Sequence, residues 1–318
     1  MSVDTTSYLK SGSNELRVLE YRVCGLSFGI NILKVSKIIH DLAQFSRVPE
    51  SPEAISGMFK DRDWLVPVLD LASVLGLKRT TEPAKQSVIV TEFFEMRTGF
   101  LVDHVDWIHH LGWGDLIDAE KVFNKVAHKY TIGIMKPTED RMVQLLDYET
   151  ILIDICPRLR KQESLKGHDT SEFVGKKALI AEDSPAVRAM LVNELAGCGF
   201  EVVETSDGAH AWQEFQKQPF DLVISDVEMP QMDGLAFTLH IRQSERPNTP
   251  VIVYSSIGDM GMKARAAYLK ADAHITKLNL EQLIVTAGKL IAGEKIEREI
   301  PGDPEETLQS TPAELVEV

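Results

Sequence analysis

In the second half of the sequence, carboxylates, a lysine and hydroxyls stand at the ends of short apolar runs. Glu182 and Asp183 follow KALIA, Asp226 follows FDLVIS, Ser255 and Ser256 close PVIVY, and Lys277 follows AHIT. Three carboxylates gathered at one place repel strongly unless a hard cation sits among them. Oxygen donors, with no Cys or His at the ends of these runs, favour Mg²⁺ over a transition metal. A lysine suits an anion bound beside that cation, and a serine hydroxyl can donate to the same anion. The chemistry these residue types fit is metal-assisted phosphoryl transfer onto a carboxylate nucleophile.

For such residues to meet, the intervening chain must return each apolar run to the same edge. KALIAED, FEVVET, FDLVISD, PVIVYSS and AHITK alternate with PAVRAMLVNELAGCG, GAHAWQEFQKQ, LAFTLHIRQ, MKARAAYLKA and LEQLIVTAGKLIAG, which have helical spacing. Strand–helix alternation five times over predicts an α/β doubly wound, five-stranded parallel sheet covered by helices on both faces. In such folds the site lies outside the carboxyl ends of the strands, where these residues fall.

Over roughly residues 175–293, LIAEDSPAVR, LVISDVEMPQMDG, PVIVYSS and HITK resemble the receiver domain of two-component response regulators, a flavodoxin-like fold. The resemblance implies that Asp226 is the phosphoacceptor. It further implies that Glu182, Asp183 and Asp226 bind Mg²⁺ together with the backbone carbonyl of Glu228. Ser255 matches the switch hydroxyl, Lys277 pairs with phosphoryl oxygens, and Pro230 with Asp233–Gly234 shapes the loop after the acceptor. Two positions depart from the pattern. Leu278 stands where receivers carry proline, which is expected to loosen the loop holding Lys277. His274 stands at the aromatic switch position, so its coupling to Ser255 is expected to differ; a half-exposed packing role is the favoured reading over that of a pH-sensitive switch.

The first half has a different texture. LRVLEYRV, LSFGINI, DWLVPVLDL, SVIVTEF and TGFLVDHV are short Val-, Ile- and Leu-rich runs broken by turn residues, which predict an all-β barrel or sandwich with one or two helices at most. VSKIIHDLA and LIDAEKVFNKVA fit either a helix or a strand–loop piece. No nucleophile triad, metal cluster or Gly-rich phosphate loop occurs before residue 157. His104, His109 and His110 read as ordinary surface or core histidines, since adjacent strand residues face opposite ways. Trp64, Trp107 and Trp113 fit a core or a partner-facing surface equally well.

LEYRVCGLSFGINILKVSKII, then ISGMFKDRDWLVPVLDLASVLGL with Gly57 and Arg62, then VIVTEF and GFLVDHV resemble the CheW family of chemotaxis coupling proteins over residues 15–156. The resemblance implies a pair of SH3-like barrels that bind the cytoplasmic tips of chemoreceptors and the histidine kinase CheA. It makes Arg62 an interface residue; a turn-stabilising salt bridge to Asp61 or Asp63 is the competing role. Asp63 stands where the family usually has glycine.

These parts imply an order: a flexible 1–14, a coupling domain over 15–156, a linker over 157–175, a receiver over 176–293, and an acidic disordered tail over 294–318. The tail carries eight acidic residues against Lys295 and Arg298, a net of −6 within the chain's −14. That balance disfavours nucleic acid as a partner. Cys24, Cys156 and Cys198 are scattered and odd in number, as in a reducing cytoplasm. The opening MSVDTTSYLKSGSNEL lacks a signal peptide's features, and no stretch approaches the roughly 18 apolar residues of a membrane span. A coupling module joined to a receiver has the architecture of CheV-type chemotaxis proteins. The expectation is a non-enzymatic cytoplasmic adaptor recruited to membrane-associated receptor arrays and regulated at Asp226. The alternative is a phosphate sink that drains the kinase, with the coupling domain serving only for localisation.

Overall fold

The computed structural model describes residues 15–40, 45–46, 54–61, 64–78, 86–94, 96–112, 115–118, 129–138, 141–156, 170–229, 231–256, 271–294 and 296. The chain divides into two compact units, one of residues 1–162 with 184–187 and the other of residues 163–183 with 188–318. The expected flexible N-terminus, the first part of the linker and nearly all of the acidic tail lie outside the described residues, as do Arg62, Asp63, Trp113 and Pro230.

The first unit is built on two mixed sheets. One runs β8-β1-β2-β11-β10-β9, from β1 (Glu15–Val23), β2 (Leu26–Asn31), β8 (His104–Gly112), β9 (Ile117–Asp118), β10 (Thr131–Thr138) and β11 (Arg141–Leu146). The other runs β3-β6-β7-β5-β4, from β3 (Val35–Ile39), β4 (Ile55–Asp61), β5 (Trp64–Asp70), β6 (Ser87–Phe93) and β7 (Met96–Val102). Most pairs are antiparallel, but β2 with β11 and β5 with β7 are parallel. Two short helices, α1 (Leu71–Val74) and α2 (Tyr148–Ile155), start on Asp70 and Asp147, whose carboxylates accept from Ala72 and Thr150 backbone N–H groups. Of the two ambiguous segments, VSKIIHDLA begins as strand β3, and only Ile117–Asp118 of the other is a described strand. Leu16, Val18, Met135, Val143 and Leu145 pack one apolar cluster, and Phe59, Val66, Val68, Val88, Val90 and Leu101 another.

An aromatic group joins β1, β6, β7 and α2. The Tyr148 ring stacks on Phe93 and meets Phe100 edge-on, while its hydroxyl shares a hydrogen bond with that of Tyr21. Burial holds both phenols protonated above their ordinary range.

The second unit is a parallel sheet in the order β13-β12-β14-β15-β16. Its strands are β12 (Lys177–Ala181), β13 (Glu201–Thr205), β14 (Leu222–Ser225), β15 (Val251–Ser255) and β16 (Ala273–Thr276). Helices α3 (Pro185–Gly197), α4 (Gly208–Lys217), α5 (Gly234–Gln243) and α6 (Leu280–Ile291) alternate with them as the pattern predicts; all of MKARAAYLKA but its last residue falls outside the described residues. Ala211, Phe215, Phe237 and Ile241 of α4 and α5 pack on Leu179, Ala181, Val223 and Val251. On α6, buried Leu280, Leu283, Ile284 and Ala287 repeat at the spacing of one helix face. The stretch expected as linker ends in a packed turn, because Phe173 of the 3₁₀ turn Ser171–Phe173 is buried and stacks on Phe200 at 4.7 Å.

The strand order reverses between β13 and β14 about β12, so the ends of β12 and β14 flank a switch point. After β14 the chain must turn sharply into α5. A Cβ on Gly234 would lie 1.8 Å from the Asp226 carbonyl oxygen, closer than any side chain can come. Gly234→Ala is therefore expected to cost the second unit about 2–3 kcal/mol. Gly197→Ala, whose Cβ meets nothing within 4 Å, should stay within about 1 kcal/mol of wild type. Urea unfolding of both variants checks this. For the first unit, Tyr21→Phe strands the Tyr148 hydroxyl and should cost about 1–3 kcal/mol, with the Tyr21→Phe/Tyr148→Phe pair costing less than the sum. Because the folded phenols stay protonated where unfolded ones ionise, near pH 10, stability should fall as pH rises above about 10. The fall should be weaker in the double variant.

Candidate functional site

At the carboxyl edge of the parallel sheet, each strand's ladder extends one residue past its end and fixes a side chain there. Glu182 donates its N–H to the Thr205 carbonyl at 3.1 Å, Asp226 to that of Ala181 at 2.8 Å, and Lys277 to that of Ser255 at 2.9 Å. Loops seldom hold side chains so firmly; here hydrogen bonds of the sheet itself set the three positions.

Their side chains converge. Lys277 Nζ donates to Glu182 Oε1 at 2.7 Å and to Asp226 Oδ2 at 2.9 Å. Glu182 is fully buried, and Lys277 and Asp226 are 2% and 3% exposed, so water screens these charges little. One carboxylate oxygen from each of Glu182, Asp183 and Asp226 lies within 4.8 Å of the others. Three carboxylates and one ammonium sum to a charge of −3 + 1 = −2. Clustered oxygen donors with an excess of two negative charges fit a divalent, oxygen-seeking cation.

The loop after β14 shapes the acid's surroundings. The Val227 N–H donates to Asp226 Oδ1 at 2.6 Å, and the Gly234 N–H to the Val227 carbonyl at 3.0 Å. Asp233 caps α5 by accepting from the Ala236 N–H at 2.6 Å. Glu228 lies partly buried in this loop, two residues beyond Asp226.

Ser255 and His274 form a second pair at the neighbouring strand ends. The Ser255 hydroxyl lies 2.9 Å from His274 Nε2, and the strands that carry them are paired in parallel register. Thus Glu182, Asp183, Asp226 and Lys277 come together, and Ser255 comes together with His274, whereas Arg62 lies outside the described residues.

Two residues of the surroundings were not singled out by the sequence reading. Arg188 reaches back from α3, its guanidinium donating to the carbonyls of Glu182 at 2.6 Å and Asp183 at 3.4 Å while pairing with Glu204 at 3.3 Å. Its position in LIAEDSPAVR, six residues after the first acid, was the available signal. Tyr254 accepts from the Leu278 N–H at 2.6 Å, which no local pattern announces. The extra N–H that leucine brings at position 278 is therefore bound.

The first unit has no comparable cluster of metal-ligating side chains among its described residues. Buried Glu20 is met by His109 and by Arg141, each at 2.7 Å, a role in packing that agrees with the reading of that histidine. His110 is exposed, as the alternation of a strand requires. Trp64 and Trp107 are 60% and 64% exposed, which places them on the surface. Burial raises the thiol pKa of Cys156 and Cys198, so both are poor nucleophiles.

Comparison with known proteins agrees with both halves. Residues 17–156 match the CheW-like domain family, and residues 178–287 match the response regulator receiver domain family. Chemotaxis protein CheV3 of Helicobacter pylori is 29% identical over 300 residues, which span 87% of this chain and 95% of that protein. Chemotaxis protein CheV2 of the same organism is 24% identical, covering 80% of this chain and 87% of its own length. Chemotaxis protein CheV1 is 21% identical, covering 84% and 90%. The chain thus carries a CheW-like domain followed by a receiver domain, and it is similar to CheV chemotaxis proteins along nearly their whole length.

Proposed function

We propose that this protein couples chemoreceptors to the histidine kinase CheA, and that phosphorylation of Asp226 regulates the coupling. The observation that carries this reading is the buried Asp226 carboxylate, held by Lys277 beside Glu182 and Asp183, in a chain whose other half is CheW-like. Residues 15–156 act as the coupling domain, the two mixed sheets being its pair of SH3-like barrels. Residues 176–293 act as the receiver, joined through 157–175 and followed by the acidic tail 294–318. The chain is no enzyme in its own right beyond assisting hydrolysis of its own aspartyl phosphate.

In the receiver, a carboxylate oxygen of Asp226 attacks the phosphorus of the kinase's phosphohistidine. An O–P bond forms as the P–N bond breaks, and the freed imidazole keeps the electron pair and takes up a proton. Glu182, Asp183, Asp226 and the backbone carbonyl of Glu228 would hold Mg²⁺. When bound, it offsets the negative charge gathered between acceptor and phosphoryl group. Lys277 moves from pairing with Asp226 to pairing with the phosphoryl oxygens. The Ser255 hydroxyl leaves His274 and donates to the same oxygens, drawing the loop after β15 inward.

The coupling half presents apolar surface that suits protein partners. Trp64 and Leu65 on β5, and Trp107 and Ile108 on β8, are each at least half exposed. Arg62, between Asp61 and Trp64, belongs to the same interface. Among the described residues no helix is long and apolar enough to cross a membrane, and recruitment to receptor arrays supplies the location.

Incubation with radiolabelled phospho-CheA and Mg²⁺ should label the wild-type chain, and both Asp226→Asn and chelation of the metal should abolish labelling. Equal labelling of wild type and Asp226→Asn would sink the phosphoacceptor assignment. The full chain should also co-sediment with reconstituted receptor–kinase arrays, and phosphorylating Asp226 should change kinase output there. Drainage of phosphoryl groups with unchanged kinase output would instead make the protein a phosphate sink.

A further inference from the structure

Three consecutive backbone donors leave the end of β16, and each is taken. The Lys277 N–H donates to the Ser255 carbonyl at 2.9 Å, and the Asn279 N–H to the Thr276 carbonyl at 3.2 Å. Between them the Leu278 N–H donates to the phenolic oxygen of Tyr254 at 2.6 Å. The outer two are backbone bonds that many sequences could make, whereas the middle one depends on a single hydroxyl. Tyr254 is fully buried and Leu278 is 4% exposed, so solvent is poorly placed to replace that hydroxyl. Leu278 also holds φ at +67°, a left-handed conformation that a leucine keeps only where its surroundings impose it.

We infer that Tyr254 is a positioning residue for the receiver site: its hydroxyl fixes the Lys277–Leu278 turn and thereby keeps the Lys277 ammonium on Asp226. The reasoning is local. The peptide between Lys277 and Leu278 is anchored by the Leu278 N–H, and its orientation sets the direction in which the Lys277 side chain leaves the backbone. That side chain must end within 2.9 Å of both Glu182 and Asp226. A proline at position 278 would bring no N–H and need no acceptor. Leucine brings a donor into a buried turn, and the tyrosine on the adjacent strand supplies its partner. Successive residues of β15 face opposite ways, so Tyr254 serves the turn while Ser255 faces His274.

The inference rests on reading Asp226 as the phosphoacceptor, and its test separates the two. Tyr254→Phe keeps the ring and removes the hydroxyl. With radiolabelled acetyl phosphate and Mg²⁺ as the donor system, the variant should take up phosphoryl about tenfold more slowly than wild type. In a Lys277→Ala background, adding Tyr254→Phe should slow uptake no further, because the hydroxyl acts through the lysine. A merely structural tyrosine would slow both backgrounds alike, and that result overturns the inference, as does uptake at the wild-type rate. Failure of wild type to label, or equal labelling of Asp226→Asn, would instead remove the phosphoacceptor reading. Should Tyr254→Phe fail to fold, hydrogen exchange in the wild-type chain still decides: the Leu278 amide should be as protected as that of Lys277. Rapid exchange at Leu278 overturns the contact.

Discussion

Everything at the carboxyl edge of the parallel sheet depends on one ammonium group placed between two buried carboxylates. Lys277 lies within 2.9 Å of Glu182 and Asp226, and all three are almost wholly removed from water. Without the lysine, two like charges would face each other in a medium that screens them poorly, and removing one partner of such a buried set commonly costs about 3–5 kcal/mol. With it, the cluster can fold before any cation arrives, yet retains two negative charges in excess once Asp183 is counted. The same balance that lets the second unit fold leaves an excess of negative charge there, which fits a divalent, oxygen-seeking ion.

Such a balance requires positions held to a few tenths of an ångström, and the support comes from backbone groups at the strand ends. The Asp226 peptide is packed under Gly234, where no Cβ fits. Arg188 holds the carbonyls behind Glu182 and Asp183. Tyr254 holds the amide behind Lys277. Each tie restrains a peptide group rather than the charged atoms, so those atoms remain available for chemistry. Ser255 differs, since its hydroxyl already has a side-chain partner in His274 and would have to exchange it.

The CheW-like half carries no such charged pocket among its described residues. Its buried Glu20 is met by Arg141 and His109, and its exposed side chains include Trp64, Leu65, Trp107 and Ile108. That division suits a protein in which one domain receives a covalent signal and the other supplies contact surface.

By itself, the sequence determined the α/β unit and pointed to most of its candidate site, because four of five apolar runs of strand length end in a residue that can do chemistry, and parallel strands must bring those ends to one edge. It also determined that the first half is β-rich. Which strands pair was not legible there: β2 joins β11 and β5 joins β7 in parallel, and pairings so distant along the chain leave no local trace. Nor could the fate of the loop at Leu278 be read. Folding brings the hydroxyl of Tyr254, 24 residues earlier, onto the amide that proline would have lacked. The reason is physical: residue types reveal what a side chain can donate or accept, but only the tertiary structure decides which donor a buried acceptor meets.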